Sequence, residues 1–117
     1  MILSEIIKIL DATVLSEEID MNLDIRSVCG SDMMSDVLAF VKQDSLLLTG
    51  LNNLQVMRTA EMLDIVCLVF VRGKTPSDMM LDMAAEMEMP VLRTEKTMFE
   101  ACGLLYQAGL RGGHKDE

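Results

Sequence analysis

An α/β fold, a small sheet containing parallel strands with helices packed on both faces, follows from three observations. Leu46–Leu48 and Val66–Val71 are short apolar runs without alternation, as strands buried on both faces should be. Two stretches of helical periodicity follow them, each opened by a turn rich in Asn, Gly, Thr and Pro. Leu46–Leu92 thus reads strand, helix, strand, helix, strand, with no spare residues between elements. Consecutive β-α-β units of this kind close as parallel strands joined by right-handed crossovers.

The remaining elements can be taken in order. Leu3, Ile6, Ile7 and Leu10 recur at helical spacing, which predicts an amphipathic helix over Ser4–Leu10. Ala12–Leu15 reads as a short apolar strand. The acidic stretch Ser16–Asp24 is a surface loop with room for a brief edge strand, and Ile25–Cys29 is a further strand ending at Gly30. Ser31-Asp32 are placed to cap a short helix with Met34, Val37, Leu38 and Val41 inward. After the Lys42–Asp44 turn and the Leu46–Leu48 strand, a helix runs to about Leu63 with Leu54, Met57, Ala60 and Leu63 toward the sheet.

Beyond Val71, Thr75 as N-cap, Pro76 at the first helical position and Asp78 at the third predict a helix running to about Glu88, where Pro90 follows. Val91-Leu92 is a short strand. Thr97 and Glu100 form a capping box for a last helix reaching Gln107 or Ala108, with Met98, Cys102 and Leu105 buried and Gly109 as its left-handed stop. Residues 1–110 therefore form one domain, and Arg111–Glu117, glycine-rich and charged, a flexible tail.

A length of 117 residues, half of them hydrophobic, suits one modest core. The formal net charge of −9 argues against nucleic acid and anionic membrane, which bind basic patches. No apolar run reaches the roughly 18 residues of a membrane span, and MILSEIIKIL lacks the features of a signal peptide. A cytoplasmic location is expected. Cys29, Cys67 and Cys102 are widely spaced in apolar or small-residue settings, and His114 is the single histidine, so three buried free thiols are expected and no zinc or iron–sulfur site. Met79, Met80, Met83 and Met87, among 12 methionines, mark one helix face that is either core or an adaptable docking surface.

In open parallel sheets, ligands lie beyond the carboxyl ends of the strands. Those turns are here Thr49–Asn53, Arg72–Ser77 and Arg93–Thr97. Arg72, Lys74, Arg93 and Lys96, four of the ten basic residues, fall in the latter two and adjoin helix N-termini. Thr49, Asn52, Asn53, Arg72, Lys74, Thr75, Arg93 and Thr97 are the candidate contacts for a nucleotide or other phosphorylated metabolite. The same charges also suit an acidic protein partner, or serve simply to cap helices and solvate turns. Gly73-Lys74-Thr75 imitates the end of a Walker A loop, but the glycine required upstream is Leu68, inside an apolar strand. Asp32 and Asp36, at i and i+4, have the spacing to share a magnesium ion; such surface acids are more often solvated, and neither a metal, a cofactor nor a catalytic set is assigned.

The order of elements, with Val28–Leu38 (VCGSDMMSDVL), LLLTG leading into a helix, VFVRGKTPSDMML and MPVLRTEKTMFEACGLL, resembles the DRTGG domain family, related to the N-terminal domain of HPr kinase/phosphorylase. The similarity covers about Leu3–Leu110. Leu51-Asn52 stand where the family's Asp-Arg is expected, and Val71-Arg72-Gly73 where Thr-Gly-Gly is expected. The resemblance implies a non-catalytic regulatory or adaptor domain that pairs as a homodimer. The P-loop chemistry of the HPr enzyme belongs to a separate domain. Stand-alone chains of this length resemble the small DRTGG proteins of bacteria with anaerobic iron-hydrogenase systems, which implies a place in hydrogenase-linked metabolism.

Overall fold

The computed structural model describes residues 1–112. The order is α1 (Leu3–Leu10), β1 (Thr13–Val14), β2 (Val28–Gly30), α2 (Met34–Phe40), β3 (Leu46–Thr49), α3 (Leu54–Met62), β4 (Cys67–Phe70), α4 (Asp78–Glu86), β5 (Val91–Arg93) and α5 (Met98–Gln107). The five strands form one sheet in the order β1-β5-β4-β3-β2. β2 to β5 are parallel neighbours, whereas β1 runs antiparallel along β5.

From β2 to β5 each crossover steps one place in the same direction. Crossovers of one hand then place all three helices on one face of the sheet. The packing follows: Val37 of α2, Val56 and Met57 of α3, and Met80 and Ala84 of α4 form one core with Leu47, Leu68, Phe70 and Val91. The other face has to be covered from outside this run. There α1 and α5 supply Leu3, Ile6, Leu10, Ala101 and Leu105 against Leu46, Leu48, Cys67, Val69 and Leu92. β3 and β4 are buried at every position, as their unalternating composition predicts.

The chain's first elements are tied to its last strand. The Thr94 hydroxyl donates to the Leu10 carbonyl at 2.7 Å, and the Val91 amide donates to Ser16 Oγ at 2.7 Å. At the other edge, Gly30 leaves room for α5: a Cβ there would stand 2.5 Å from Cys102 Sγ and 2.9 Å from Met98 Sδ. The brief edge strand is reduced to a single bridge between Ile2 and Asp24.

Several local expectations are corrected. Met33, not Ser31 or Asp32, is the N-cap of α2 and makes no side-chain cap bond. Ser77, not Thr75, caps α4 by accepting from the Met80 amide at 3.2 Å. Leu54 is exposed, while Val56 takes its place beside Met57 and Ala60. In the methionine stripe Met80 is core and Met83 and Met87 pack against it, but Met79 points to solvent. Arg111, assigned to the tail, is held: its carbonyl accepts from the Val28 amide at 3.1 Å and its guanidinium lies over the Tyr106 ring. The rest of the expected tail, 113–117, lies outside the described residues.

Of the three thiols only Cys67 is fully buried; Cys29 and Cys102 are half-buried. Burial, and secondarily the neighbouring Cys102, push the Cys29 thiol up to about 11, and burial raises Cys67 further. Two units above the ordinary value leave a thiolate population roughly a hundredfold smaller at neutral pH. Iodoacetamide at pH 8 is therefore expected to alkylate Cys29 about a hundredfold more slowly than a free thiol, and Cys67 only after unfolding. Rapid modification of Cys29 in peptide-mapped mass spectra would refute this.

Candidate functional site

The carboxyl ends of the four parallel strands place their loops side by side, and the strand ends and loops together carry the eight candidate residues. The β2–α2 loop holds the β3–α3 loop through one carboxylate. Asp32 Oδ1 accepts from the Thr49 hydroxyl at 3.1 Å and from the Gly50 amide at 2.6 Å. Thr49 Oγ1 in turn accepts from the Leu51 amide at 3.1 Å. Thr49 and Gly50 are buried, so without Asp32 two polar groups would lose their partner. Asp32 is thus a clamp between loops.

Asn53 is the N-cap of α3, its side chain accepting from the Gln55 amide at 3.0 Å. Asn52 Nδ2 donates across to the Thr75 carbonyl at 3.1 Å, joining the β3–α3 and β4–α4 loops. The Thr75 hydroxyl accepts from Arg93 Nη1 at 3.2 Å, joining the end of β5 to both. Thr97 caps α5, accepting from the Glu100 amide at 3.2 Å. Its hydroxyl donates to Glu100 Oε1 at 3.2 Å, so the carboxylate's reach back ends on the hydroxyl. Six of the eight residues, Thr49, Asn52, Asn53, Thr75, Arg93 and Thr97, are therefore bonded within the fold.

The cations are less engaged. Arg72 sits in the left-handed region at φ 57, followed by Gly73 at φ 67. A non-glycine residue adopts this conformation only when its surroundings hold it. Here the Arg72 amide donates to the Lys96 carbonyl and the Gly73 amide to the Thr94 carbonyl, both at 2.8 Å. The turn aims the Arg72 side chain back across the rim, where Nη2 lies 2.9 Å from the point a Cβ on Gly50 would occupy. Gly50 is thus a seat for the guanidinium. Among the described residues no carboxylate pairs with Arg72, Lys74 or Lys96. Arg93 is partly neutralised by Glu95 at 3.7 Å, and the Glu95 carboxylate also covers the α-carbon of Gly73. Sequence reasoning overlooked Glu95, although its position between Arg93 and Lys96 is visible in the chain.

A larger concavity lies at the opposite end of the sheet, a groove of about 1440 Å³. Its walls include Glu17, Glu18, Asp20, Asp64 and Asp82, a setting that repels phosphate. The acidic Ser16–Asp24 loop is the sequence signal for it. The rim itself is an open surface, because the strands are stacked in chain order from β2 to β5. Binding crevices form where strand order reverses, and this run contains no reversal.

Fold and rim together define a small α/β module whose strand-to-helix loops are cross-bonded and edged with cations, of which Arg72, Lys74 and Lys96 have no carboxylate partner among the described residues. The chain belongs to the DRTGG domain family, whose model matches residues 5–108. Among solved structures it is similar to the CBS and DRTGG domains of the regulatory region of Clostridium perfringens pyrophosphatase, complexed with the activator diadenosine tetraphosphate. The TM-score is 0.72 at 20% identity, over 91% of this chain and 46% of that one, so this chain spans about half the length of its structural relative. A search of curated proteins returned no match. Among the described residues no helix is long and apolar enough to cross a membrane, and no group of three or more His, Cys, Asp or Glu is arranged to hold a metal ion.

Proposed function

We propose that this chain is a non-catalytic regulatory domain that senses a nucleotide or other phosphorylated metabolite on its rim. The observation that carries the reading is Arg72, a guanidinium with no carboxylate partner among the described residues, held over Gly50 by a left-handed turn, with Lys74 in the same loop and Lys96 in the next. In a chain of net charge −9, such a local group favours a phosphate over an acidic surface at large. The activator complexed with the related regulatory region is itself a polyphosphate, which supports the ligand class. Thr49, Asn52, Asn53, Thr75 and Thr97 then act as framework, holding the cations in place, with Arg72, Lys74 and Arg93 as the contacts.

A second reading, compatible with the first, is that the domain works as a homodimer or through another protein partner. The exposed apolar face of α5, where Phe99 is 87% exposed, favours it. A cytoplasmic role in hydrogenase-linked metabolism rests on the likeness to small stand-alone DRTGG proteins alone.

The sensor reading is tested by thermal shift against nucleotides and phosphorylated metabolites, including diadenosine tetraphosphate, with Arg72→Glu and Arg72→Gly in parallel. A ligand at 100 times its dissociation constant adds about 2.7 kcal/mol, roughly 10 °C for a domain of this size. The expected result is such a shift in the wild type, lost in both variants. Glycine suits the left-handed turn, so that variant stays folded. A shift of equal size in Arg72→Gly removes the rim from the reading, and no shift across the panel removes the sensor.

A further inference from the structure

We infer that the outer face of α5 is the surface on which a second copy of this chain docks, the two helices crossing antiparallel about a two-fold axis near Gly103. The inference rests on the homodimer reading and names its surface. Ala101 and Leu105 turn inward and are fully buried. Phe99, Gly103 and Tyr106, at i, i+4 and i+7, form the opposite stripe, with Phe99 87% and Tyr106 61% exposed. Met98 and Cys102, half-buried over Gly30, continue the apolar surface toward the β2 edge. A helix that is apolar on both faces has one more surface to cover than its own domain supplies.

Gly103 adds a second observation. Mid-helix glycine weakens a helix relative to alanine, so it is retained where a backbone must be approached closely. Within the described chain nothing makes that approach: a Cβ at position 103 would meet no atom within 4 Å. The glycine is therefore unexplained by the monomer, and a helix from outside, passing between Phe99 and Tyr106, explains it.

Charge selects the occupant. A second copy also carries −9 and is repelled wherever acidic surfaces meet. Along α5 the single charged residue is Glu100, already bonded to Thr97. Positions 99 and 106 lie symmetrically about the 102–103 step. An antiparallel crossing there sets Phe99 on the partner's Tyr106 and brings Glu100 toward the partner's Arg111, whose guanidinium stacks on that tyrosine at 3.9 Å. This patch, with little like charge of its own, is thus also self-complementary.

The test is sedimentation velocity of the full chain over about 1–100 micromolar, the range expected of a single-helix contact, with Phe99→Asp and Gly103→Glu alongside. Phe99 is exposed and a side chain at position 103 would meet no atom of the fold, so both variants keep the wild-type melting temperature at monomeric concentrations. The expected result is a concentration-dependent dimer for the wild type and monomers for both variants. A wild-type dimer that persists in both variants overturns the α5 surface while leaving the homodimer reading standing. A wild type that sediments as a monomer throughout overturns both.

Discussion

Phe70→Ala is expected to cost about 3–5 kcal/mol, a large part of the roughly 5–15 kcal/mol available to a domain of this size. Phe70 is the largest fully buried side chain, on β4 at the centre of the sheet, and it contributes to the core beneath α2, α3 and α4. The helices that close over it are anchored by their own cores and loops, so the cavity does not collapse and the full penalty is felt. The melting temperature should fall by roughly 15 °C. Phe99→Ala, which removes the same atoms from a residue 87% exposed, should leave the monomer's melting temperature within about 2 °C. Denaturant titration of both variants provides the check. Equal losses for the two phenylalanines would mean that α5 packs differently from the arrangement described here.

Asp32→Ala is expected to cost about 2 kcal/mol, more than an exposed carboxylate ordinarily contributes. Its value lies in its two donors, the buried Thr49 hydroxyl and the Gly50 amide, which the variant strands at the end of the most buried strand pair. Asp32→Asn keeps an acceptor oxygen and should lose about half as much. Amide exchange separates the causes: Gly50 exchanges faster in Asp32→Ala, while amides inside β4 keep their protection until global unfolding. Unchanged exchange at Gly50 would sink the clamp. Because Gly50 is also the seat of Arg72, the same variant should weaken any ligand read by the rim.

The fold was largely legible because its signals are local. Leu46–Leu48 and Val66–Val71 announce buried strands by lacking alternation, and Thr97 three residues before Glu100 announces a helix start; neither needs knowledge of the rest of the chain. What was misread involves competition between a local and a distant partner. Thr75-Pro76-Ser77-Asp78 offers two cap residues, and the cap falls on Ser77 while the Thr75 hydroxyl is taken by Arg93 and its carbonyl by Asn52. Asp32 likewise looks like a cap or half of a metal pair until Thr49 and Gly50 come within reach. No spacing along the chain reports that a residue is occupied from 17 or 18 positions away.

The candidate site was legible to the same depth. The loops could be named in advance, since parallel strands put them on one rim, and they bring Leu51-Asn52 and Val71-Arg72-Gly73 side by side. Which candidate side chains are framework and which are free depends on bonds between loops, beyond any reading of one loop at a time. For α5 the inward residues Met98, Cys102 and Leu105 are legible in the sequence, and all three belong to or pack against the core beneath it. What the sequence does not report is that the opposite, apolar stripe of Phe99 and Tyr106 stays exposed rather than being covered by another part of the fold.

One feature of the β2 edge bears on how such a domain can be combined with others. The N-terminal amine donates to the Ile25 carbonyl at 3.0 Å, and the Arg111 carbonyl accepts from the Val28 amide at 3.1 Å. Positions 1 and 111 are therefore held by residues three apart in the chain, Ile25 just before β2 and Val28 at its start. A surface loop of another protein can be cut and this domain spliced into the gap with little distortion of either. By the same geometry, joining these two positions with a short glycine linker and reopening the chain at another loop should give a permuted protein with its sheet intact.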